Sequence, residues 1–408
     1  MIKRFTLTAA ASAAIFAAAA EIPPFYPELG PALPMESPAV APNQVELKRA
    51  DGSVVKPGAF TLSRSLNGRE WKILPPVRSA RPFDASVDLD KGYEQPGFDD
   101  SKWDAIAVPL DWYRQYPKAY LREEPYVKGF YRRKFDVNAS ELDGRRALLR
   151  FGVIGYDAVV FVNGREAGRH KGDFTPCEFD VTNLVKPGEN TLAIRVLTDF
   201  GTTHGTVPAA KHVYGSQWGW GNIKGGLWQS VELAFVPELY IETMLVNPVL
   251  KDSAIRVDYT IDNRSGREFK GELSLTVTTA LKRDPNKTAG NLSLPVSLKP
   301  GVNTGTASVK LADPVKWSPE NPFLYYLSAT LADGGKVVSG AVERFGYRDF
   351  KIVDGKFHLN GERIYLFGEN IRSVDFGGRG TTPAEDAANL RKYMNGFKRQ
   401  GVNIIRNA

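Results

Sequence analysis

The sequence predicts a mainly β protein: two antiparallel sandwiches in series, then a change to a strand-helix-strand unit after about residue 345. Three observations carry this. Apolar residues alternate at period two, Leu192, Ile194 and Val196 against Ala193 and Arg195, and Ile255, Val257, Tyr259 and Ile261 against Arg256, Asp258, Thr260 and Asp262. That is the pattern of a strand with one buried face. Turn sequences punctuate the alternation, Asn163-Gly164 and Lys186-Pro187-Gly188-Glu189-Asn190 among them, and Asn-Gly supplies the positive φ angles of a tight hairpin. A helical period occurs once and late, where Ala387, Leu390, Met394 and Phe397 share one helix face.

Composition narrows the class. A chain of 408 residues has room for two or three domains. Its 42% hydrophobic and 24% charged content excludes a wholly disordered chain and one with many membrane spans. The single cysteine, Cys177, excludes an internal disulfide and is expected to be a buried, inert thiol. The net charge of +7 comes from basic residues scattered among acidic ones, which argues against a nucleic-acid partner. The densest run, Arg132-Arg133-Lys134, is expected as the solvated face of a strand.

Taken in order, residues 1–20 read as a secretory signal peptide. Lys3 and Arg4 precede an apolar run that ends Ala18-Ala19-Ala20. A periplasmic or secreted protein, with no membrane contact after cleavage, follows from that. Residues 21–58 read as a linker, with seven prolines between Glu21 and Gln44 and too little apolar mass for a core. Residues 59–237 read as one sandwich. Residues 238–345 read as a smaller one of immunoglobulin-like size. In residues 346–408 a hairpin turns at Asn360-Gly361. Thr382-Pro383-Ala384-Glu385 then caps a helix that Gly401 ends, and Val402-Asn403-Ile404-Ile405 is expected as a buried strand. Two parallel strands and one helix cannot cover their own apolar faces, so this last part reads as an architecture interrupted at its second strand.

A set of motifs in one order resembles glycoside hydrolase family 2, the β-galactosidase, β-glucuronidase and β-mannosidase group. They are Phe98-Asp99-Asp100-Ser101-Lys102-Trp103 with Val108-Pro109-Leu110-Asp111-Trp112, then Gly129-Phe130-Tyr131-Arg132-Arg133. Val159 to Gly164, Thr175 to Asp180, Gly188-Glu189-Asn190 and Gly225 to Val231 follow. Trp317-Ser318-Pro319-Glu320-Asn321-Pro322, Phe345-Gly346-Tyr347-Arg348 and Phe357 to Gly361 complete the series. The family pattern has His where Leu110 stands, and usually an aromatic residue where Cys177 stands. The resemblance implies a jelly-roll sugar-binding domain, an immunoglobulin-like sandwich and the start of a (β/α)8 TIM barrel, whose active site lies at the C-terminal strand ends.

It also implies the chemistry of a retaining β-glycosidase acting on non-reducing-end β-linked sugars, with a carbohydrate as partner. Two glutamates would serve, one as acid/base and one as nucleophile. The acid/base follows an asparagine in this family, and the chain has no Asn-Glu dipeptide. No catalytic residue is therefore assigned, both glutamates are expected beyond residue 408, and residues 1–408 alone are expected to be inactive.

Substrate contacts implied by the resemblance are Asn370 and Arg372, in Gly368-Glu369-Asn370-Ile371-Arg372 at the end of the first barrel strand, and Arg406 at the end of the second. Arg372 replaces the family's His. Arg406 could hold a carboxylate or serve as a rim ion pair. Trp218 and Trp220, with Trp228, lie in or beside a glycine-rich stretch, where their rings could stack on a sugar or pack inside the sandwich. No cofactor or metal is expected, since His170, His204, His212 and His358 lack ligand spacing. The alternative is a non-catalytic secreted carbohydrate-binding protein.

Overall fold

The computed structural model describes residues 42–48, 53–77, 91–110, 128–172, 174–197, 225–280, 287–371 and 383–407. The expected leader and most of the proline-rich stretch lie outside them. No helix among the described residues is long and apolar enough to cross a membrane.

A small hairpin, β1 (Leu47–Lys48) and β2 (Val54–Val55), comes first. The first sandwich then runs β3 (Leu62–Ser65), β4 (Gly68–Val77), β5 (Asp104–Val108), β6 (Lys128–Val137), β7 (Arg145–Phe151), β8 (Asp157–Val162), β9 (Arg165–Lys171), β10 (Cys177–Asp180), β11 (Gly188–Leu197) and β12 (Val231–Pro237), with one helical turn, α1 (Ala139–Leu142), before β7. The strands form a four-stranded sheet, β10-β7-β12-β3, and a six-stranded sheet, β5-β4-β6-β11-β8-β9. Leu149, Phe151, Leu233 and Phe235 from one sheet meet Trp71, Tyr131, Ile194 and Val160 from the other in one core.

The expected turns are where the sequence puts them. Asn163 (φ 52°) and Gly164 (φ 79°) join β8 to β9, an angle pair that excludes most side chains at the second position. Asn190 shapes the Lys186–Asn190 turn, its amide bonded to the backbone of Lys186 and Gly188. The Asn163 Nδ2 donates to Asn190 Oδ1 at 2.7 Å, so two separate motifs close on one another.

Two expectations are corrected here. β11 is buried on both faces from Asn190 to Leu197, where one buried face was expected. The reason is tertiary. Tyr93 and Trp103, from the turn between β4 and β5, pack on the outer side of the six-stranded sheet over Phe130, Val159, Phe161 and Ala193. Nor does Arg132 stand on a solvated face. It is 1% exposed, its Nε 2.9 Å from Asp100 Oδ2 and its guanidinium over the Phe98 ring. Lys134 alone of that run is open to solvent.

The second sandwich runs β13 (Leu239–Val249), β14 (Ala254–Asn263), β15 (Phe269–Thr279), β16 (Thr288–Leu298), β17 (Gly301–Lys310), β18 (Tyr325–Asp333) and β19 (Lys336–Phe345). A three-stranded sheet, β13-β14-β17, faces a four-stranded one, β16-β15-β18-β19, with Ile255, Val257, Ile261, Leu273, Leu275 and Val277 between them. Residues 42–48 and 53–58 fall in the stretch expected as a coreless linker, yet residues of both pieces pack on this sandwich. Val45 is fully buried with Ala280 and Tyr326, and Pro57 is buried against Gly340. Apolar residues too sparse to build a core can still be buried by a sheet formed elsewhere.

Beyond Phe345 a three-stranded sheet forms from β20 (Phe350–Val353), β21 (Lys356–Leu359) and β22 (Glu362–Arg363), turning at Asn360-Gly361. Then β23 (Gly368–Ile371), α2 (Pro383–Arg399) and β24 (Ile404–Asn407) form a unit whose two strands pair in parallel, as expected. The expected burial of the last strand is not found. Val402 is buried, but Ile404 is 45% exposed, because a two-stranded sheet has no further described layer to cover it.

Candidate functional site

The strand-helix-strand unit is built onto the second sandwich by a joint that uses three sequence motifs. Trp317 N–H donates to Tyr347 O at 2.9 Å. The Arg348 guanidinium lies 4.4 Å from the centroid of the Trp317 ring, a cation–π distance. Asn360, at the hairpin turn, donates from Nδ2 to Trp317 O at 2.9 Å and exchanges two hydrogen bonds with the Asp349 backbone. Lys398, in the last turn of α2, reaches Pro319 O at 3.2 Å. Each motif supplies one side of the same contact.

Asn403 then sets the two parallel strands. Its backbone N–H donates to Phe367 O, its Oδ1 accepts from Phe367 N–H at 3.0 Å, and its Nδ2 donates to Tyr365 O at 2.8 Å. Close approach is completed at Gly368, where a Cβ would stand 2.7 Å from Ile404 O, a distance no side chain tolerates. Sequence reasoning missed Asn403. The signal available was an amide inside an apolar strand, where a polar group needs partners.

With the strands so placed, Asn370 and Arg406 are register partners on β23 and β24. Side chains of register partners in neighbouring strands point to the same face, with the strands about 4.8 Å apart. Both residues are exposed. Among the described residues no carboxylate forms an ion pair with Arg406, so its guanidinium and the Asn370 amide stand as neighbouring donors at strand ends. Such a pair can bind a hydroxyl or a carboxylate. Arg372, Trp218 and Trp220 lie outside the described residues. Among the described residues no three His, Cys, Asp or Glu side chains converge as a metal site would require. Cys177, expected to be buried, is only half-buried, yet desolvation still pushes its thiol up to about 12, so little of it is thiolate at neutral pH.

Two sandwiches in series, leading into a parallel strand-helix-strand unit with an amide and a guanidinium abreast, define a multidomain, mainly β chain that presents polar donors at strand ends. Family models give the class its name: "Glycosyl hydrolases family 2, sugar binding domain" matches residues 80–207, and "Glycosyl hydrolases family 2" matches residues 235–348. The chain belongs to glycosyl hydrolase family 2.

Among its relatives are a beta-galactosidase of Thermoanaerobacter pseudethanolicus, 28% identical over 69% of this chain and 36% of that protein, and a beta-galactosidase of an Arthrobacter species, 29% identical over 84% and 32%. The fold is similar to that of a Bacteroides uniformis beta-glucuronidase (TM-score 0.66, 23% identity, 85% of this chain and 39% of the other). It is also similar to a family 2 member from Bacteroides cellulosilyticus (TM-score 0.64, 22% identity, 85% and 44%). The chain spans about a third of the length of these curated relatives.

Proposed function

We propose that the chain is the N-terminal part of a retaining β-glycosidase that removes a non-reducing-end β-linked sugar, with a β-galactoside as the leading substrate and a β-glucuronide as the second. The observation that carries this is the order of parts. Two family 2 sandwiches run directly into a parallel strand pair that places Asn370 beside Arg406. In this reading the first sandwich is a jelly roll, the second is immunoglobulin-like, and β23-α2-β24 opens a barrel. The exposed Ile352, Tyr365, Phe367 and Ile404 support the last point, since a completed barrel would cover such apolar surface. Arg406 and Asn370 would hold and orient sugar or carboxylate at the strand ends. Two glutamates outside residues 1–408, about 5–5.5 Å apart, would form and hydrolyse the glycosyl-enzyme.

The test compares residues 1–408 with the protein expressed from its full reading frame on nitrophenyl β-galactoside, β-glucuronide and β-mannoside. The longer protein should release product with the β anomer appearing first, and residues 1–408 should release none. Turnover by residues 1–408, or inversion by the longer protein, overturns the proposal. Residues 1–20 are proposed to direct export, so the mature protein should begin at Glu21. An N-terminal sequence that retains Met1 in exported protein rejects this.

A further inference from the structure

The second sandwich carries a row of hydroxyls on the outer face of its four-stranded sheet. On β15 the apolar Leu273, Leu275 and Val277 enter the core, so Ser274, Thr276 and Thr278 face the other way. Ser274 and Thr276 pair with Thr330 and Ser328 of β18 on one side, and with Ser293 and Asn291 of β16 on the other. Register partners share a face, so these small polar side chains form one floor. From Glu272 to Thr278 it runs about 20 Å.

The β1–β2 hairpin walls this floor. Val45, just before it, is buried with Ala280 and Tyr326. Pro57, just after it, is buried against Gly340 of β19. Both ends of the hairpin are thus pinned to the sheet, and Glu46 meets Lys56 at 2.9 Å across its base. Between the pins Leu47 and Val55 are register partners, each half-buried. They and the hydroxyl row line a groove of about 840 Å³.

The floor holds hydroxyls whose bonding is incomplete. Thr278 lines the groove and is 2% exposed, yet its Oγ1 has no hydrogen-bond partner among the described residues. Ser328, fully buried beside Thr276, is in the same state. Buried polar groups are satisfied as a rule, so these hydroxyls point to a partner from outside the chain. Ser274 differs, donating to Glu272 at 3.0 Å and accepting from Ser293 at 2.7 Å.

We propose that this groove is a binding site for a neutral β-linked oligosaccharide lying along β15. A pyranose has hydroxyls at its rim and C–H groups on its faces. Thr276, Thr278, Asn291 and Thr330 can each donate and accept at the rim, and Leu47 and Val55 offer aliphatic surface to the C–H faces. The only charge on the floor is Glu272, at its end, so a neutral chain fits and a string of uronates does not. An added peptide strand needs an open sheet edge, and β15 is paired on both sides. The proposal rests on the reading of this protein as carbohydrate-active, and its test separates the two.

The experiment is an NMR titration of the purified chain with β-1,4-galactotetraose and with methyl β-galactoside. Saturable shifts are expected at Leu47, Val55, Thr278 and Thr330, with tighter binding of the tetraose because the floor is longer than one ring. Thr278→Val keeps the side-chain shape and deletes the hydroxyl. It should weaken tetraose binding about fivefold, and Thr330→Val, on the neighbouring strand, should do the same. Thr304→Val, which removes an exposed hydroxyl of β17 in the other sheet, should leave binding unchanged. Thermal melts confirm that the variants fold. No saturable binding up to about 50 mM tetraose, shifts confined to other residues, or unaltered binding by both floor variants overturns the proposal. Hydrolysis by the full reading frame is scored separately. Activity without binding in the groove rejects the groove alone, and binding there without activity rejects the hydrolase alone.

Discussion

The Arg146 Nη1 stands 2.8 Å from Asp262 Oδ2, and this pair joins the first sandwich to the second. Both side chains are largely buried, at 12% and 9% exposure. The same guanidinium reaches Asp180 Oδ2 at 2.9 Å, while Arg264 closes on Asp262 from the other side at 2.8 Å. Removing Asp262 leaves a cation short of a partner in a dry joint. Asp262→Ala should therefore cost about 3 kcal/mol, read as a lower urea midpoint. A change under about 0.5 kcal/mol would mean the joint is held by other contacts.

The same joint should respond to acid. Burial acts to raise the Asp180 carboxyl, but hydrogen bonds from Thr182 and the Arg146 guanidinium outweigh it and hold its pKa below the ordinary 3.8. A depressed folded-state value adds stability above the unfolded pKa, and that stability is lost as pH falls through the folded value. Urea midpoints should therefore fall as pH drops below about 4, and Asp180→Asn should flatten that fall. An unchanged slope in the variant would assign the acid sensitivity to other carboxylates.

Asp100 is expected to matter more than its exposed neighbour Asp99. It meets the buried Arg132 at 2.9 Å and Lys72 at 3.0 Å, and so pins the aromatic turn over the six-stranded sheet. Asp100→Ala takes the carboxylate from a guanidinium that is 1% exposed and leaves it only the Tyr93 and Gln95 carbonyls, at a cost of about 3 kcal/mol, whereas Asp99→Ala should leave the melt close to the parent's. Thermal melts of the two variants decide, and equal effects would deny Asp100 its pinning role.

Asn360 should control the rigidity of the link to the strand-helix-strand unit. Asn360→Ala removes its bonds to Trp317 O and Asp349 N. Hydrogen exchange at the Asp349 amide should accelerate at least about tenfold, with little change inside β18. Unchanged exchange would show that the Arg348–Trp317 contact suffices.

Cys177 should resist labelling. With its thiol pushed up to about 12, the thiolate needed for disulfide exchange is scarce at pH 8. An aromatic disulfide reagent should label it only after unfolding in guanidinium, and prompt labelling of the native protein would contradict the burial.

Local order was legible wherever neighbours in sequence set the physics. Asn163-Gly164, the Lys186–Asn190 turn, the inward Ile255, Val257 and Ile261 of β14 and the helix ending before Gly401 all depend on backbone angles and periodicity within a few residues, whereas the β14 alternation fails at Asp262, which is buried at the joint between the sandwiches. The sequence also placed Asn370 and Arg406 near strand ends. That they stand abreast was beyond it, because parallel register depends on Asn403 meeting Phe367 from 36 residues away. Arg132 shows the same limit from the other side. Its place in an alternating strand marks an outward face, and nothing local reveals that Tyr93, Phe98 and Trp103 will cover it.

What the sequence determined by itself was the order of parts: β alternation twice, then one helix between two strands, with motifs enough to name the family. The tertiary structure alone decided which side chains meet. It brought Trp317, Arg348 and Asn360 into one joint, paired Asn370 with Arg406, set Phe174 against Trp228, and placed Leu47 and Val55 across a groove from Thr278. The physical reason is range. Propensity and periodicity act over a few residues, whereas burial and hydrogen-bond satisfaction act through space and are fixed only when sheets have closed.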